Sequence, residues 1–380
     1  MMTRLRRRVA ITVAVVAVVA VGVAGGVYAV ERWVDRAVPQ ADLFGPSATP
    51  SGTLSQSPTG APSPTPSPSP SPLPGAGIRG PLNILIVGVD TREWIPTWKP
   101  HADTVMILHI SADLSRAQMT SLPRDMIVNI PPFAPARFGG RRTKLTHAMS
   151  EGSFVPGSSR PNTAQGFQLV ARTVSNYTGI SRFDVGALLT FNGLRKLVDA
   201  LGGVDLYIDQ RVQSIHLQPS GAGRYPCSSC EHGYSGPRAT YEVGTRHLRG
   251  WQALDYVRQR YIPGIDYARA RHQRQLIKAI VARVMQRDVM ANPATAQGVL
   301  RALGSTFIFD GRGRTAVDFA YALRNLRPAA MTSVSLPGRS VYSGSGYVGE
   351  SLDAVQATYF AALRQDKLDA WLRSHSALVD

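Results

Sequence analysis

The hydrophobic pattern divides the chain into segments of clearly different character. Residues 9–30 form an apolar run of 22 positions without a charge, which is long enough for a helix to cross a bilayer's hydrocarbon core. From about residue 45 to residue 80, Pro, Ser, Thr and Gly dominate, a composition that favours a disordered stalk. The pattern predicts a basic tail at 1–8, a transmembrane helix at 9–30, a linker at 31–80 and a folded domain at 81–380.

Charges next to the apolar run predict its orientation. Four arginines precede it, namely Arg4, Arg6, Arg7 and Arg8, and arginine next to a span is retained on the cytoplasmic side. We therefore expect a single-pass protein of the cell membrane, with its C-terminal domain outside the cytoplasm. A cleaved signal peptide is the alternative, although the run is long and no clear A-x-A site follows it.

The net charge indicates acidic partners for the folded domain. The chain carries a formal charge of +17 and has a pI near 10.4, which suits nucleic acid, an anionic membrane surface or phosphorylated substrates. Because the predicted topology places the basic domain outside the cell, it argues against nucleic acid.

Three apolar runs predict strands whose ends carry charged residues. The runs lie at 83–89, 104–110 and 118–122, and consecutive strands commonly pair as neighbours. If the three pair in antiparallel fashion, then Asp90, Asp103 and Arg124 meet at one edge of the sheet. Two carboxylates and an arginine suit a divalent cation and a phosphate. The alternative is that the aspartates are ordinary turn residues.

The remainder of the domain alternates between helices, strands and irregular segments. Periodicity and turn residues predict strands at 183–190, 204–208 and 331–336, helices at 163–177, 191–201, 250–257, 266 onward, 293–303, 316–325 and 352–372, and irregular segments at 131–142, 213–240 and 338–349. The two cysteines, Cys227 and Cys230, lie in a loop rich in Pro and Gly. A local disulfide and two free thiols both fit, whereas zinc would need His216 and His232 as further ligands.

The segment 254–280 is unusually rich in arginine. It contains Arg258, Arg260, Arg269, Arg271 and Arg274. Arginine at this density suits a multiply charged anion such as a pyrophosphate. An extended chain at Arg258 and Arg260 would place both side chains on one side.

The helix that follows has a core-facing stripe that is polar early and apolar late. At 100° per residue, the stripe contains Asp266, Arg269, Gln273, Ile277, Ile280 and Val284. Because buried charges need partners, we expect its first three residues to line a cavity. An internal ion pair between Asp266 and Arg269 is also compatible with the pattern. Arg271 faces the other way and is predicted to be solvated.

Seven segments together carry a resemblance to the LytR-CpsA-Psr family of bacterial cell-wall enzymes. In family order they are NILIVGVDTR (83–92), HADTVMILHI (101–110), TSLPRDMIV (120–128), TKLTHAMSEG (143–152), FNGLRKLVDALGGVDLYI (191–208), LRGWQALDYVRQRY (248–261) and DYARARHQRQLIKAI (266–280). The likeness is clearest over 81–290. It implies an α/β fold with a central mixed, largely antiparallel sheet flanked by helices, and a hydrophobic channel for a lipid.

The resemblance also implies roles for individual residues. Asp90 and Asp103 would hold Mg²⁺ or Mn²⁺. The pyrophosphate would be bound by Arg124, Arg258, Arg260 and Arg269, with Lys144 beside them, and the pocket would be completed by Asp266 and Gln273. His101 stands where the family often has arginine and would donate a hydrogen bond to the substrate. His272 also replaces a frequent arginine.

The family's activity gives the leading functional hypothesis. Its members move a glycan, through its phosphate, from a polyprenyl-pyrophosphate carrier to peptidoglycan, and phosphoryl transfer depends mainly on positioning and charge neutralisation. We expect a membrane-anchored, Mg²⁺-dependent glycopolymer phosphotransferase, in which Asp103 or Asp266 could act as base. The alternatives are a hydrolase of the same lipid pyrophosphate and a non-catalytic module that binds envelope glycan or regulates the envelope.

Overall fold

A computed structural model describes residues 40–45, 75–92, 94–284, 286 and 304–380, except for the side chains of residues 305 and 317. The predicted tail and span at 1–30, most of the linker and the predicted helix at 293–303 lie outside these residues. Within the described part of the chain, no helix combines the length and the apolar character needed to cross a bilayer.

Strands and helices alternate along the described chain. The strands are β1 (Leu82–Val89), β2 (Ala102–Ile110), β3 (Ala117–Leu122), β4 (Ile127–Ile130), β5 (Arg141–Lys144), β6 (Val185–Thr190), β7 (Val204–Ile208), β8 (Val212–Gln213), β9 (Tyr225–Pro226), β10 (Tyr234–Ser235), β11 (Thr240–Tyr241), β12 (Gly244–Leu248), β13 (Phe307–Asp310), β14 (Met331–Val334), β15 (Gly338–Ser343) and β16 (Gly346–Leu352). The helices are α1 (His147–Gly152), α2 (Thr163–Thr178), α3 (Phe191–Ala200), α4 (Gly250–Tyr256), α5 (Ile265–Val284), α6 (Ala316–Ala322), α7 (Val355–Arg364) and α8 (Leu368–Arg373).

The central sheet has six strands in the order β13-β6-β1-β2-β3-β14. Neighbours β1 and β2, β2 and β3, and β6 and β13 are antiparallel, whereas β6 is parallel to β1 and β14 is parallel to β3. The predicted α/β fold with a mixed, largely antiparallel sheet is therefore confirmed. Pairing of Gly88 with Thr104 and of Val105 with Leu122 brings the end of β1, the start of β2 and the end of β3 to one edge.

Both faces of the sheet are covered, which explains why its strands are apolar almost throughout. Ile84 belongs to one core, with Leu276 of α5, and the next residue, Leu85, belongs to the other, with Phe167 of α2. This alternation follows from the two-residue period of a strand. Helix α5, which is rich in arginine, covers one face of the sheet together with α3.

Several predicted elements differ from the structure. The predicted loop at 338–349 is part of the β15–β16 hairpin, because its alternating side chains pair across a short Gly-containing turn. The predicted helix at 352–372 is two helices, separated by Asp366 with a φ of 53°. The polar segment at 131–142 contains the start of β5, which pairs with β4 and ends at Lys144.

A short part of the predicted linker packs on the domain. Leu43 is fully buried, and its backbone N–H donates to Oδ2 of Asp310 at 2.8 Å. The ring of Phe44 meets that of Phe167 edge to face, with 5.8 Å between centroids. Residues 40–45 therefore form part of the folded unit beside β13.

Replacing Leu43 tests whether this segment contributes to stability. Leu43→Ala should lower the free energy of unfolding by about 2–5 kcal/mol, because it removes a buried side chain and leaves a cavity. Denaturant unfolding measures the change. Val243 is half exposed, so Val243→Ala is the control, with an expected change within about 0.5 kcal/mol. Equal effects of the two substitutions would show that residues 40–45 do not dock.

Candidate active site

Three charged residues meet at the edge of the sheet, as the strand pairing predicts. The guanidinium of Arg124, just after β3, donates to and forms an ion pair with the carboxylate of Asp103 in β2. Asp90, just after β1, accepts a hydrogen bond from the backbone N–H of His101 at 2.6 Å. The imidazole Nδ1 of His101 lies 3.9 Å from the same carboxylate. The structure therefore brings all four predicted residues together, while their roles remain predictions.

The two carboxylates at this edge interact electrostatically. Burial raises the pKa of Asp90, and the negative charge of Asp103 raises it further, against the hydrogen bond from His101. Burial works against the charge of Arg124, but the carboxylates of Asp103 and Asp125 outweigh it and raise its pKa. The negative charge of Asp103 is therefore compensated by Arg124. The described contacts of Asp90 are with His101 and not with an arginine.

Asp125 is a site residue that the sequence analysis missed. Its carboxylate accepts from Nε of Arg124 at 3.1 Å and from Nζ of Lys144 at 3.2 Å. It is 6% exposed. Burial would raise its pKa, but Arg124 and Lys144 hold it below the ordinary value. Its position directly after Arg124 was the available signal, and the contact with Lys144 depends on the β4–β5 pairing.

The early stripe of α5 is buried, as its periodicity predicts. Asp266 and Arg269 are 4% and 5% exposed, and Nη2 of Arg269 lies 3.1 Å from Oδ1 of Asp266. The expected internal ion pair is therefore present. Burial lowers the pKa of Arg269, Asp266 and Asp103 oppose this shift, and Arg124 and Arg260 add to it. Residues from β2, from the chain after β3, and from α5 thus form one electrostatic cluster.

Arg258 and Gln273 lie beside an apolar cavity. The cavity measures about 50 Å³. It lies between strands β1, β2 and β6 on one side and helices α3 and α5 on the other. Its walls include Ile86, Met106, Leu189, Leu194 and Ile277. Arg258 is an exposed residue, and the central carbon of its guanidinium lies 4.6 Å from the ring centroid of Phe191. The arginine cluster therefore adjoins a narrow apolar slot.

Two predictions about the arginine-rich segment are wrong. Arg258 lies in the turn that ends α4 and not in extended chain, since its N–H donates to the carbonyl of Asp255 at 3.2 Å. Arg271 is not a free charge in solvent, because its Nε contacts Oδ2 of Asp209 at 2.6 Å, with 33% of its side chain exposed. Asp209 also lies 2.9 Å from Nε2 of the buried His272. Burial would raise the pKa of Asp209, but His272 and Arg271 together hold it below its ordinary value.

The insert after β8 supports the turn that carries Arg258. Cys227 and Cys230 form a disulfide within it. At its base, Oγ of Ser214 donates to the buried carboxylate of Asp255 at 2.9 Å, and the N–H of Ile215 donates to Oε1 of Gln259 at 3.1 Å. Arg258 and Arg260 both lower the pKa of His216, after burial, so the insert lies within reach of the arginines.

Asp90 and Asp103 suit a metal that is shared with the substrate. Among the described residues, no group of three or more His, Cys, Asp or Glu side chains could hold a metal ion. Mg²⁺ is commonly bound by one or two carboxylates, with waters and substrate phosphates completing the octahedron. A pair of neighbouring carboxylates, one of which has a raised pKa, would be stabilised by such a cation. The donor set therefore fits Mg²⁺ bound together with a phosphorylated ligand.

Residues 56–367 match the LytR_cpsA_psr family, and the chain therefore belongs to that family. The resemblance carried by the seven sequence segments is confirmed. The match includes every residue of the cluster described above.

Individual relatives are distant. The chain is 26% identical over 276 residues to the cell wall biosynthesis protein LcpA of Corynebacterium glutamicum, covering 70% of this chain and 49% of LcpA. It is 27% identical over 254 residues to the polyisoprenyl-teichoic acid–peptidoglycan teichoic acid transferase TagU of Enterococcus faecalis, covering 65% of this chain and 68% of TagU. The chain thus spans about half the length of LcpA and two thirds of that of TagU.

A solved structure supports the fold. Protein gbs0355 from Streptococcus agalactiae superposes with a TM-score of 0.58 at 22% sequence identity, covering 76% of this chain and 88% of that protein. At this identity the likeness concerns the architecture of the domain alone.

Breaking the buried pair of α5 tests its contribution to the site. Asp266→Ala should lower the free energy of unfolding by about 3–5 kcal/mol, because it leaves the charge of Arg269 buried without its nearest carboxylate. Glu242→Ala is the control, since Glu242 pairs with Arg211 at 3.0 Å with both side chains 55% exposed; its expected cost is below about 1 kcal/mol. Denaturant unfolding compares them, and similar losses would mean that Asp266 does not compensate a buried charge.

Proposed function

We propose that this chain is a membrane-anchored phosphotransferase of the cell envelope. In this proposal it moves a glycan, together with its phosphate, from a polyprenyl-pyrophosphate carrier to a hydroxyl of peptidoglycan, with Mg²⁺ (or Mn²⁺) as cofactor. One observation carries the proposal: Asp90 just after β1, Asp103 in β2, the arginines after β3 and in 258–269, and an apolar slot lie at the same edge of the sheet. Family membership and the name of TagU support it.

The two halves of the donor suit the two parts of the site. A pyrophosphate needs several cations close together, and Arg124, Arg258, Arg260 and Arg269 with Lys144 supply them. A polyprenyl tail needs an apolar surface, which the slot between the sheet and α5 provides.

The chemistry follows from charge neutralisation and positioning. The acceptor hydroxyl attacks the phosphorus that bears the glycan, a new P–O bond forms, and the P–O bond to the polyprenyl phosphate breaks. The hydroxyl proton passes to a base, and polyprenyl phosphate leaves. The arginines stabilise charge on the transferred phosphate and on the leaving phosphate. Mg²⁺ on Asp90 and Asp103 would add Lewis-acid stabilisation of the phosphate oxygens.

The carboxylates proposed as bases are both paired. Asp103 contacts Arg124, and Asp266 contacts Arg269. These pairs orient the two arginines, so Asp103 and Asp266 also act as positioning residues in this proposal. Asp125 does the same for Lys144.

Removing Arg258 tests the assignment of the arginine cluster. With full-length protein, lipid-linked oligosaccharide, Mg²⁺ and a peptidoglycan acceptor, Arg258→Ala should reduce the release of polyprenyl phosphate by about 100-fold or more, because a charge-stabilising donor is lost. The melting temperature should change little, since Arg258 is an exposed residue. Arg339→Ala, in an exposed side chain of β15, is the control.

The same assay separates the candidate activities of the wild-type protein. Release that requires the acceptor supports transfer, release without acceptor supports hydrolysis, and no release supports a binding or regulatory module. If Arg258→Ala retains nearly full activity with normal melting, the proposed role of the arginine cluster is wrong.

The metal can be tested without an activity assay. Titrating Mg²⁺ together with a soluble pyrophosphate should stabilise the wild-type protein, by about 2.7 kcal/mol once the ligand reaches 100 times its Kd. Asp90→Asn with Asp103→Asn should abolish the Mg²⁺-dependent part of this gain in thermal unfolding. Asp353→Asn, at a carboxylate whose side chain is 43% exposed and lies outside the site, should retain it. A double variant that responds to Mg²⁺ as the wild type does would place the metal elsewhere.

A further inference from the structure

The β15–β16 hairpin places two exposed tyrosines beside the cation cluster. Tyr342 and Tyr347 are 61% and 43% exposed, and their rings meet edge to face with 6.0 Å between centroids. Nζ of Lys144 lies 4.7 Å from the ring centroid of Tyr347. The aromatic pair therefore lies directly beside the proposed phosphate-binding cluster.

Tyr347 is held firmly in this position. Its hydroxyl donates to Oε1 of Glu350 at 2.9 Å and lies 3.4 Å from Oδ2 of Asp125. Glu350 is 3% exposed, and the same Oε1 also accepts from Oγ of Ser340 at 3.0 Å. The hydroxyl is therefore hydrogen-bonded at one end of the ring, while the residue stays 43% exposed.

Asp125 joins the hairpin to the cations. The backbone N–H of Glu350 donates to the carbonyl of Asp125 at 2.8 Å, and the carboxylate of Asp125 contacts both Arg124 and Lys144. The spacing between the aromatic rings and the cations is thus set by a continuous series of hydrogen bonds. A rigid, preorganised aromatic surface beside fixed charges is typical of a binding site.

The chemistry of this surface suits a sugar ring. A pyranose presents a face of C–H groups that packs on an aromatic ring, while its hydroxyls stay hydrated or bond to polar neighbours, and tyrosine combines an apolar face with a polar end. Core packing does not explain the pair, because Tyr342 and Tyr347 are both exposed residues. An exposed aromatic pair that is continuous with a charged site indicates ligand contact.

We propose that Tyr342 and Tyr347 form a binding wall for the pyranose that adjoins the transferred phosphate. The proposal rests on the function proposed above, because that function places a phosphate at Lys144 and Arg124, and a sugar is bonded directly to that phosphate. Two sugars meet there, the first sugar of the donor and the acceptor sugar of peptidoglycan. Their shared chemistry is a pyranose ring, and binding measurements distinguish the two sources.

The test measures binding of three probes to the full-length chain in nanodiscs. The probes are undecaprenyl pyrophosphate, the same lipid carrying an N-acetylhexosamine disaccharide, and a lipid-free peptidoglycan disaccharide. Tyr342→Ala with Tyr347→Ala should weaken binding of at least one sugar-containing probe about ten-fold, while binding of the bare lipid changes less than about two-fold.

Two further variants control for loss of structure. Tyr347→Phe keeps the ring and removes only the hydroxyl, so sugar binding should stay within about three-fold of the wild type. Tyr207 is another exposed tyrosine, 57% exposed on β7, and Tyr207→Ala should leave all three affinities unchanged. Thermal unfolding should show that each variant is folded at the temperature of the binding measurement, with a lower melting temperature for the variants at Tyr347, because they remove a hydrogen bond to the buried Glu350.

Each outcome has a distinct meaning. A loss confined to the glycan-bearing lipid assigns the wall to the donor sugar, and a loss confined to the disaccharide assigns it to the acceptor. Unchanged affinities for both sugar probes, when the wild type binds them, would overturn the proposal. If the wild type binds neither lipid but the double variant loses the disaccharide, the proposed transferase function fails while the sugar site stands.

Discussion

The structure of this protein depends on how it offsets the free-energy cost of removing charged side chains from water. A guanidinium removed from water needs a carboxylate or several hydrogen-bond acceptors beside it, and three buried or partly buried arginines of this domain lie beside carboxylates. Arg124 lies against Asp103, Arg269 against Asp266 and Arg274 against Asp380. Each pair joins elements that are distant in the chain or successive turns of α5, so the ion pairs that satisfy the arginines also determine where they point.

The central sheet supplies the frame for these pairs. Antiparallel pairing of β1, β2 and β3 brings Asp90, just after β1, and Asp103, in β2, to the edge where the chain leaves β3. Helix α5 then covers one face of the sheet, so its polar first turns meet that edge and its apolar last turns enter the core. A highly charged cluster and an apolar slot become neighbours because one helix carries both.

Much of the site was predictable from local patterns, and the errors have identifiable physical causes. The three apolar runs and the stripe of α5 depend on periodicity, which short sequence windows contain. Asp125, Tyr347 and Glu350 were missed because their significance lies in contacts between β4, β5 and β16, which no local pattern encodes. Arg271 was assigned to solvent because helix periodicity alone does not show that Asp209, after β7, approaches that side of the helix.

The sequence by itself determined the family, the strands of the sheet edge and the buried stripe of α5, while the span and the stalk expected before the domain stay predictions. These features depend on composition, spacing and periodicity, which act over a few neighbouring residues. Only the tertiary structure decided that residues 40–45 dock beside β13, that Arg258 leaves α4 in a turn, and that the β15–β16 hairpin reaches Lys144. Such contacts join residues far apart in the chain, and their geometry depends on the whole domain closing around its two cores.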